Sequence, residues 1–354
     1  YGDSSLGKIR IAITRDLNIA GNTSVNGAYT SGAFTLKVGR NLTHTQGKFS
    51  GQNYMLNTAV DSLIIGTAFI FNSSVPTDFF RANRSAGNTI VTSSTFTVLN
   101  SGTASGQGVA LVDSGAGNLS FSTTQFTING GKFTGILSGS GNLTFNCTGA
   151  LTMSGGIFRG NENTLFSNAG GLSFISGSIE FNGGIFSCYH NSNNSGSVGI
   201  VTINGACSIN YTNTSDEFTF IGLAATGFDL NNLSLTLSIT GAFTISGVTG
   251  TFVSSRSLGS ETISLSSLTI SEGNNSFNSV SGSSTPNGHN VVMTIAGNLT
   301  VNGGNTYLSG FSQSFTGILN GNLLITGGSL AVKGGDCTTT TFNILGGYTM
   351  TGGE

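Results

Sequence analysis

Charge is scarce in this chain. Lys, Arg, Asp and Glu together supply 7% of the 354 residues, against about 25% in ordinary globular proteins. Proline occurs only at Pro76 and Pro286, and tryptophan is absent. Each shortage excludes something. The few cations are not interleaved with aromatics, so nucleic acid is not an expected partner. No apolar run is long enough to cross a bilayer as a helix, so direct membrane insertion is not expected. Four cysteines, Cys147, Cys188, Cys207 and Cys337, are too few for a disulfide scaffold and read as free thiols.

Glycine is abundant instead, at 55 residues, and phenylalanine occurs 25 times. A Gly/Ser/Asn/Thr-rich chain suggests a disordered linker. Disorder, however, needs low hydrophobicity or high net charge. Here 37% of residues are hydrophobic and the net charge is −2, so a folded chain is expected.

The order lies in a repeat. Residues 125–133 read QFTINGGKF, 150–158 read ALTMSGGIF and 178–186 read SIEFNGGIF, in steps of 25 and 28. Upstream partners are NLSFSTT at 118–124, NLTFNCT at 142–148 and GLSFISG at 171–177. The phrase returns as NLTVNGG at 298–304 and NLLITGG at 322–328, with a fainter echo, DLNIAGN, at 16–22. Inside each phrase apolar and polar residues alternate, which is the strand signal. The following Gly-Gly pairs mark sharp turns.

Short strands, tight turns and a period near 25 fit an all-β fold, a right-handed parallel β-helix (β-solenoid) with about 25 residues per coil and about 14 coils. The period stacks Phe126, Leu151 and Ile179 in one ladder, Phe133, Phe158 and Phe186 in a second, and Phe121, Phe145 and Phe174 in a third. Residues 1–354 read as a single solenoid segment. Residues 52–117, around VPTDFFRANRS, are less regular and read as a loop or insertion. The turn-rich stretches 188–197 and 281–290 are expected to bulge outward.

Catalytic signatures are hard to find. Glycan hydrolysis needs two carboxylates about 5 to 10 Å apart. The one adjacent pair is Asp216-Glu217, and Asp229 follows at a distance in sequence. Neighbours on a strand point to opposite faces, so this pair reads as part of a solvated turn. His44, His190 and His289 are far apart, and HExxH, GxSxG and CxxC are all missing. Cys188-Tyr189-His190 reads as an exposed loop triplet. Neither a cofactor, a metal site nor a catalytic residue is expected. The best cluster for contacting a glycan is Tyr189, His190, Tyr211, Asp216 and Glu217. Asn118, Asn142 and Asn298 begin Asn-x-Ser/Thr triplets, which chance alone produces in such a composition. Residues 1–84 carry eight of the twelve Lys and Arg against four acids, a balance that favours an acidic partner.

The phrases NLTVNGG, DLNIAGN and ALTMSGGIF resemble those of large secreted β-helical surface proteins. These include autotransporter passengers, filamentous-haemagglutinin-like exoproteins and β-strand-repeat adhesins. The resemblance covers about half the chain (16–50, 117–208 and 291–354). It implies export, an extracellular or cell-surface location, and adhesion or filament formation, with no catalytic residue carried over. A second, partial resemblance is to the polymorphic-membrane-protein repeat, which couples GGA[ILV] with FxxN. Here GGIF stands at 155–158 and 183–186, without the alanine, and FxxN at Phe69–Asn72, Phe80–Asn83, Phe126–Asn129 and Phe228–Asn231 falls out of step with it.

The sequence therefore leads to a non-enzymatic structural or adhesive segment. Its expected partners are a host or environmental surface, glycan or protein, or further copies of itself. Strand-like KIRIAIT at 8–14 and a phrase still repeating at 342–353 suggest a piece of a longer chain, or a subunit that stacks head to tail. The alternative is a glycan-binding or glycan-cleaving β-helix.

Overall fold

The computed structural model describes residues 8–354 except 23, 29–31, 53–57, 76, 84–85, 100–107, 114–115, 138–139, 163–169, 191–194, 223–231, 249, 256–258, 278–289, 311 and 335–337. The described residues form strands and turns, with no helix among them. They form a parallel β-solenoid, at roughly 27 residues per turn. Contacts divide the chain into two units, Tyr1–Phe174 with His190–Ser192, and Ile175–Tyr189 with Asn193–Glu354.

In the first unit every coil supplies three strands, and each strand pairs in parallel with its equivalent one coil on. The first row runs through Ile9–Ile13, Phe34–Val38, Asp61–Ile65, Thr89–Thr92, Leu119–Thr123 and the start of Leu143–Glu162. The second row contains Leu17–Ile19, Leu42–His44, Ala68–Asn72, Thr95–Leu99 and the start of Gln125–Ile136. The third holds Ser24–Ala28, Lys48–Gln52, Phe79–Asn83, Gly108–Val112 and the end of Gln125–Ile136. The second unit repeats the plan. Its third row, which matters below, contains Ile185–His190, Glu217–Gly222, Thr251–Ser255, Asn274–Ser276, Asn305–Tyr307 and Ser329–Ala331.

Alternation decides what fills the interior. In Phe34–Val38, Phe34, Leu36 and Val38 are buried while Thr35 and Lys37 face outward. Three rows then converge on a narrow core, and one coil brings one phenylalanine from each. Phe121, Phe126 and Phe133 meet with centroids 5.7, 4.8 and 6.0 Å apart. Along the stack, rings lie face to face: Phe121 on Phe145 at 4.8 Å, Phe133 on Phe158 at 5.3 Å, Phe145 on Phe174 at 4.7 Å. Each such pair adds about 0.5–1.5 kcal/mol beyond simple burial. Phe126 stands opposite Leu151. In the second unit Ile179 pairs with Cys207, and Phe186 stacks on Phe218 at 4.4 Å.

The corners explain the recurring phrases. At the Gly-Asn-Leu corner a Cβ on Gly141 would sit 1.9 Å from the Gly117 carbonyl oxygen, so only glycine lets the coils close. The Asn142 main-chain N–H donates to Asn118 Oδ1 at 2.8 Å, and Asn142 Oδ1 accepts from Gly171 N–H at 2.6 Å. Asn298, Asn322 and Gly347 repeat the arrangement at 2.9 and 2.7 Å. The asparagines of these Asn-x-Ser/Thr triplets thus serve as struts between coils. At the Gly-Gly corner, Gly156 has φ +80° and a Cβ there would lie 2.5 Å from the Gly131 carbonyl.

Coils run at roughly 27 residues, close to the period read from the sequence, and their length varies: Asn118 and Asn142 are 24 apart, Ser208 and Thr244 36 apart. Other expectations are corrected. Residues 52–117 are not simply a loop. They contain six strands in register, and Phe80 within DFFRAN is fully buried. Cys188-Tyr189-His190 ends the strand Ile185–His190, with Cys188 and Tyr189 in the core. Residues 281–289, with Pro286 and His289, lie outside the described residues, as do Pro76, Asp229 and Cys337.

Truncating an aromatic column should be costly, while trimming the outer face should not. Phe145→Ala is expected to lose about 3–5 kcal/mol. Thr144→Ala, one residue away and exposed, should stay within about 0.5 kcal/mol. Urea titrations followed by far-UV circular dichroism would measure both.

Candidate functional site

The residues expected to contact a glycan do share a neighbourhood, but the fold has spent them on structure. Tyr189 and Tyr211 are each only 1% exposed and offer no ring face to a ligand. Tyr211 O–H is buried, with no hydrogen-bond partner among the described residues. Its burial, and then the Asp216 charge, push the phenol upward and keep it neutral. Asp216 is not in a solvated turn, being only 2% exposed. Its carboxylate gathers main-chain N–H groups from Gly184 at 2.9 Å, Thr212 at 2.7 Å and Asn213 at 2.9 Å. Burial would raise this carboxyl, but the donors outweigh it and hold it below the usual carboxylate range. Glu217 begins the next third-row strand and is half-buried. His190 closes its own strand, and its side chain lies outside the described residues.

Other acids are engaged in the same way. Asp61 Oδ1 accepts the Phe34 N–H at 2.7 Å, Ser73 donates to Asp78, and Ser254 donates to Glu261 at 3.0 Å. Glu162 lies between Lys132 at 2.8 Å and Arg159. Burial pushes its carboxyl up, yet those two cations prevail and hold it low. Cys147, Cys188 and Cys207 are buried. Burial raises Cys188 and Cys207, so neither is a reactive thiolate. Among the described residues no three His, Cys, Asp or Glu side chains gather to hold a metal ion.

An open groove lies elsewhere, on the third row of the second unit. Its volume is about 350 Å³, at the lower end of the range for small-ligand sites. Stacking alone assembles it. Thr251, Asn274 and Asn305 stand in one column across three coils, and Val253, Ser276 and Tyr307 in the next. These positions alternate with inward-facing Phe252, Asn275 and Thr306, which anchor the strands. Asn275 Nδ2 donates to the Glu272 carbonyl at 2.9 Å, fixing the turn beneath. Asn305 Nδ2 donates to Asn274 Oδ1 at 3.4 Å, and Ser329 Oγ to Asn305 Oδ1 at 2.9 Å. Tyr307 is 44% exposed. Gly310 and Gly334 also line the groove, and a Cβ on Gly334 would come within 3.2 Å of the Tyr307 ring. No lining residue among those described carries an ionisable group other than the tyrosine phenol.

Sequence reading missed this groove because its parts are scattered from Thr251 to Gly334. The available signal was the equivalence of Asn274-Asn275-Ser276 and Asn305-Thr306-Tyr307 within consecutive coils.

One titrating group in the first unit sets a pH limit. His44 is fully buried, its Nε2 bonded to the Gly47 carbonyl at 3.0 Å and its ring edge-on to Phe71 at 4.9 Å. Burial lowers its pKa, against the opposing pull of the Gly47 carbonyl and Asp78. The unfolded chain therefore takes up a proton near pH 6.5 that the folded chain refuses. Stability should fall as pH drops below about 6.5, with a slope of up to ~1.4 kcal/mol per pH unit until the folded pKa is reached. The stabilising, lowered carboxyls Asp216 and Glu162 are lost only further down, below about pH 4.5. Denaturant titrations at pH 7.5 and 5.5 should show the loss in the wild type and a smaller difference in His44→Phe.

Comparison with protein-family models, with curated proteins and with solved structures returned no match to this chain; what is shown is its fold, a β-solenoid.

Proposed function

We propose that the chain is a non-enzymatic structural and adhesive segment of an extracellular bacterial surface protein or fibre. The observation that carries this reading is where the polar chemistry goes. Asparagines bond coil to coil, and the buried carboxylates cap strands and turns or neutralise neighbouring cations. A chain organised in this way works as a scaffold, and its outward columns are free to meet a surface.

Two further features support it. Several of the few tryptic positions are tied down: Arg81 pairs with Asp113 at 3.3 Å and lies over the Phe79 ring, and Lys132 is paired with Glu162. A protein exposed to external proteases benefits from few cleavage sites held in paired strands. The phrases shared with secreted β-helical adhesins point the same way.

The test is a panel of bacterial and plant glycans incubated with purified protein, together with a trypsin time course. No sustained turnover, and a solenoid that survives trypsin under native conditions, is the expected outcome. Turnover that disappears in Glu217→Gln while the fold persists would overturn the reading.

A further inference from the structure

We infer that the groove formed by Thr251, Asn274, Ser276, Asn305 and Tyr307 is a binding site for a neutral, hydroxyl-rich saccharide. The inference deepens the reading of the chain as a surface scaffold, by naming the place and chemistry of one adhesive contact.

Three properties select the ligand class. The first is charge. The groove presents carboxamides, hydroxyls and one phenol, with no cation or carboxylate among its described lining residues. An acidic sugar or phosphate would find no counter-charge among those residues, and desolvating its charge against them would go uncompensated. A neutral polyol loses nothing by that absence.

The second is spacing. Thr251, Asn274 and Asn305 occupy successive rungs of one parallel ladder, so their polar groups recur at about 4.8 Å. Ser276 and Tyr307 form a parallel column two residues along. Donors and acceptors at regular intervals match a ligand that repeats its hydroxyls, as a sugar chain does. A carboxamide both donates and accepts, so one asparagine can serve two adjacent hydroxyls.

The third is the ring. Tyr307 is exposed enough to offer a face, yet the Gly310 and Gly334 wall beside it has no side chain to cover that face. A tyrosine supplies broad amphipathic contact at low entropic cost, while Asn, Ser and Gly supply adaptable hydrogen bonding. A folded protein partner fits less well. Stable protein interfaces bury about 800 Å² per partner around an apolar centre, whereas this is a polar concavity with one aromatic.

The experiment uses the whole chain and immobilised short oligosaccharides of glucose, N-acetylglucosamine, mannose and galactose, with polygalacturonate and heparin fragments as acidic controls. Binding to at least one neutral series, weakened about tenfold or more by Tyr307→Ala, is expected. That loss corresponds to about 1.4 kcal/mol. Tyr307→Phe should retain most of the affinity, and Ser276→Phe, which fills the groove from a half-buried outward position, should abolish it. Circular dichroism and trypsin resistance report folding separately. If the variants stay folded and resistant but no neutral glycan binds, or binding ignores both Tyr307→Ala and Ser276→Phe, the groove assignment is wrong while the scaffold reading stands. Binding confined to the acidic controls would overturn it equally.

Discussion

Everything in this structure depends on one constraint: a parallel strand must find its hydrogen-bond partner on the next coil, directly above its equivalent. That requirement fixes register, and register puts like over like. Phenylalanine stacks on phenylalanine, asparagine bonds to asparagine, and glycine passes glycine. No coil buries its apolar side chains alone, so stability arises between neighbours. The three-row cross-section explains the residue preferences. Rings from three directions fill a narrow core with few side chains, which suits Phe better than the bulkier Trp.

The same constraint decided how much was readable from the sequence. Where a coil carries the corner words Gly-Asn-Leu and Gly-Gly, the strands between them were legible, because those words mark positions that tolerate little else. Residues 52–117 were harder. Most of their strands alternate, but Gly108–Val112 is buried throughout, the corner word survives only as Gly87-Asn88, and a buried Asp61 interrupts the apolar pattern by accepting a main-chain N–H from the neighbouring coil. Tyr189 and Tyr211 were misjudged for a related reason. Each sits beside turn residues, and burial there is decided by the coils on either side rather than by adjacent sequence. The groove was invisible for the converse reason: its residues share a position in the coil, not a stretch of chain.

Ionisable side chains play a restricted part. Asp216, Glu162 and Asp61 hold local geometry, and each depends on specific donors or cations. They resemble active-site carboxylates in being buried, yet their partners are main-chain amides and neighbouring side chains already in place. Burial with complete satisfaction reads as architecture. The Tyr307 groove is the reverse case, with polar groups turned outward and only partly satisfied by one another.

The asparagine struts have a consequence for the environments the protein can tolerate. A carboxamide bears no net charge, so the bonds from Asn118 to Asn142 and from Asn298 to Asn322 are not screened by dissolved ions. Exposed ion pairs fade once the Debye length shrinks to about 3 Å near 1 M salt. The exposed ion pair between Asp16 and Arg40 is open to that loss, whereas the amide ladders hold the coils together alike in fresh water and in brine.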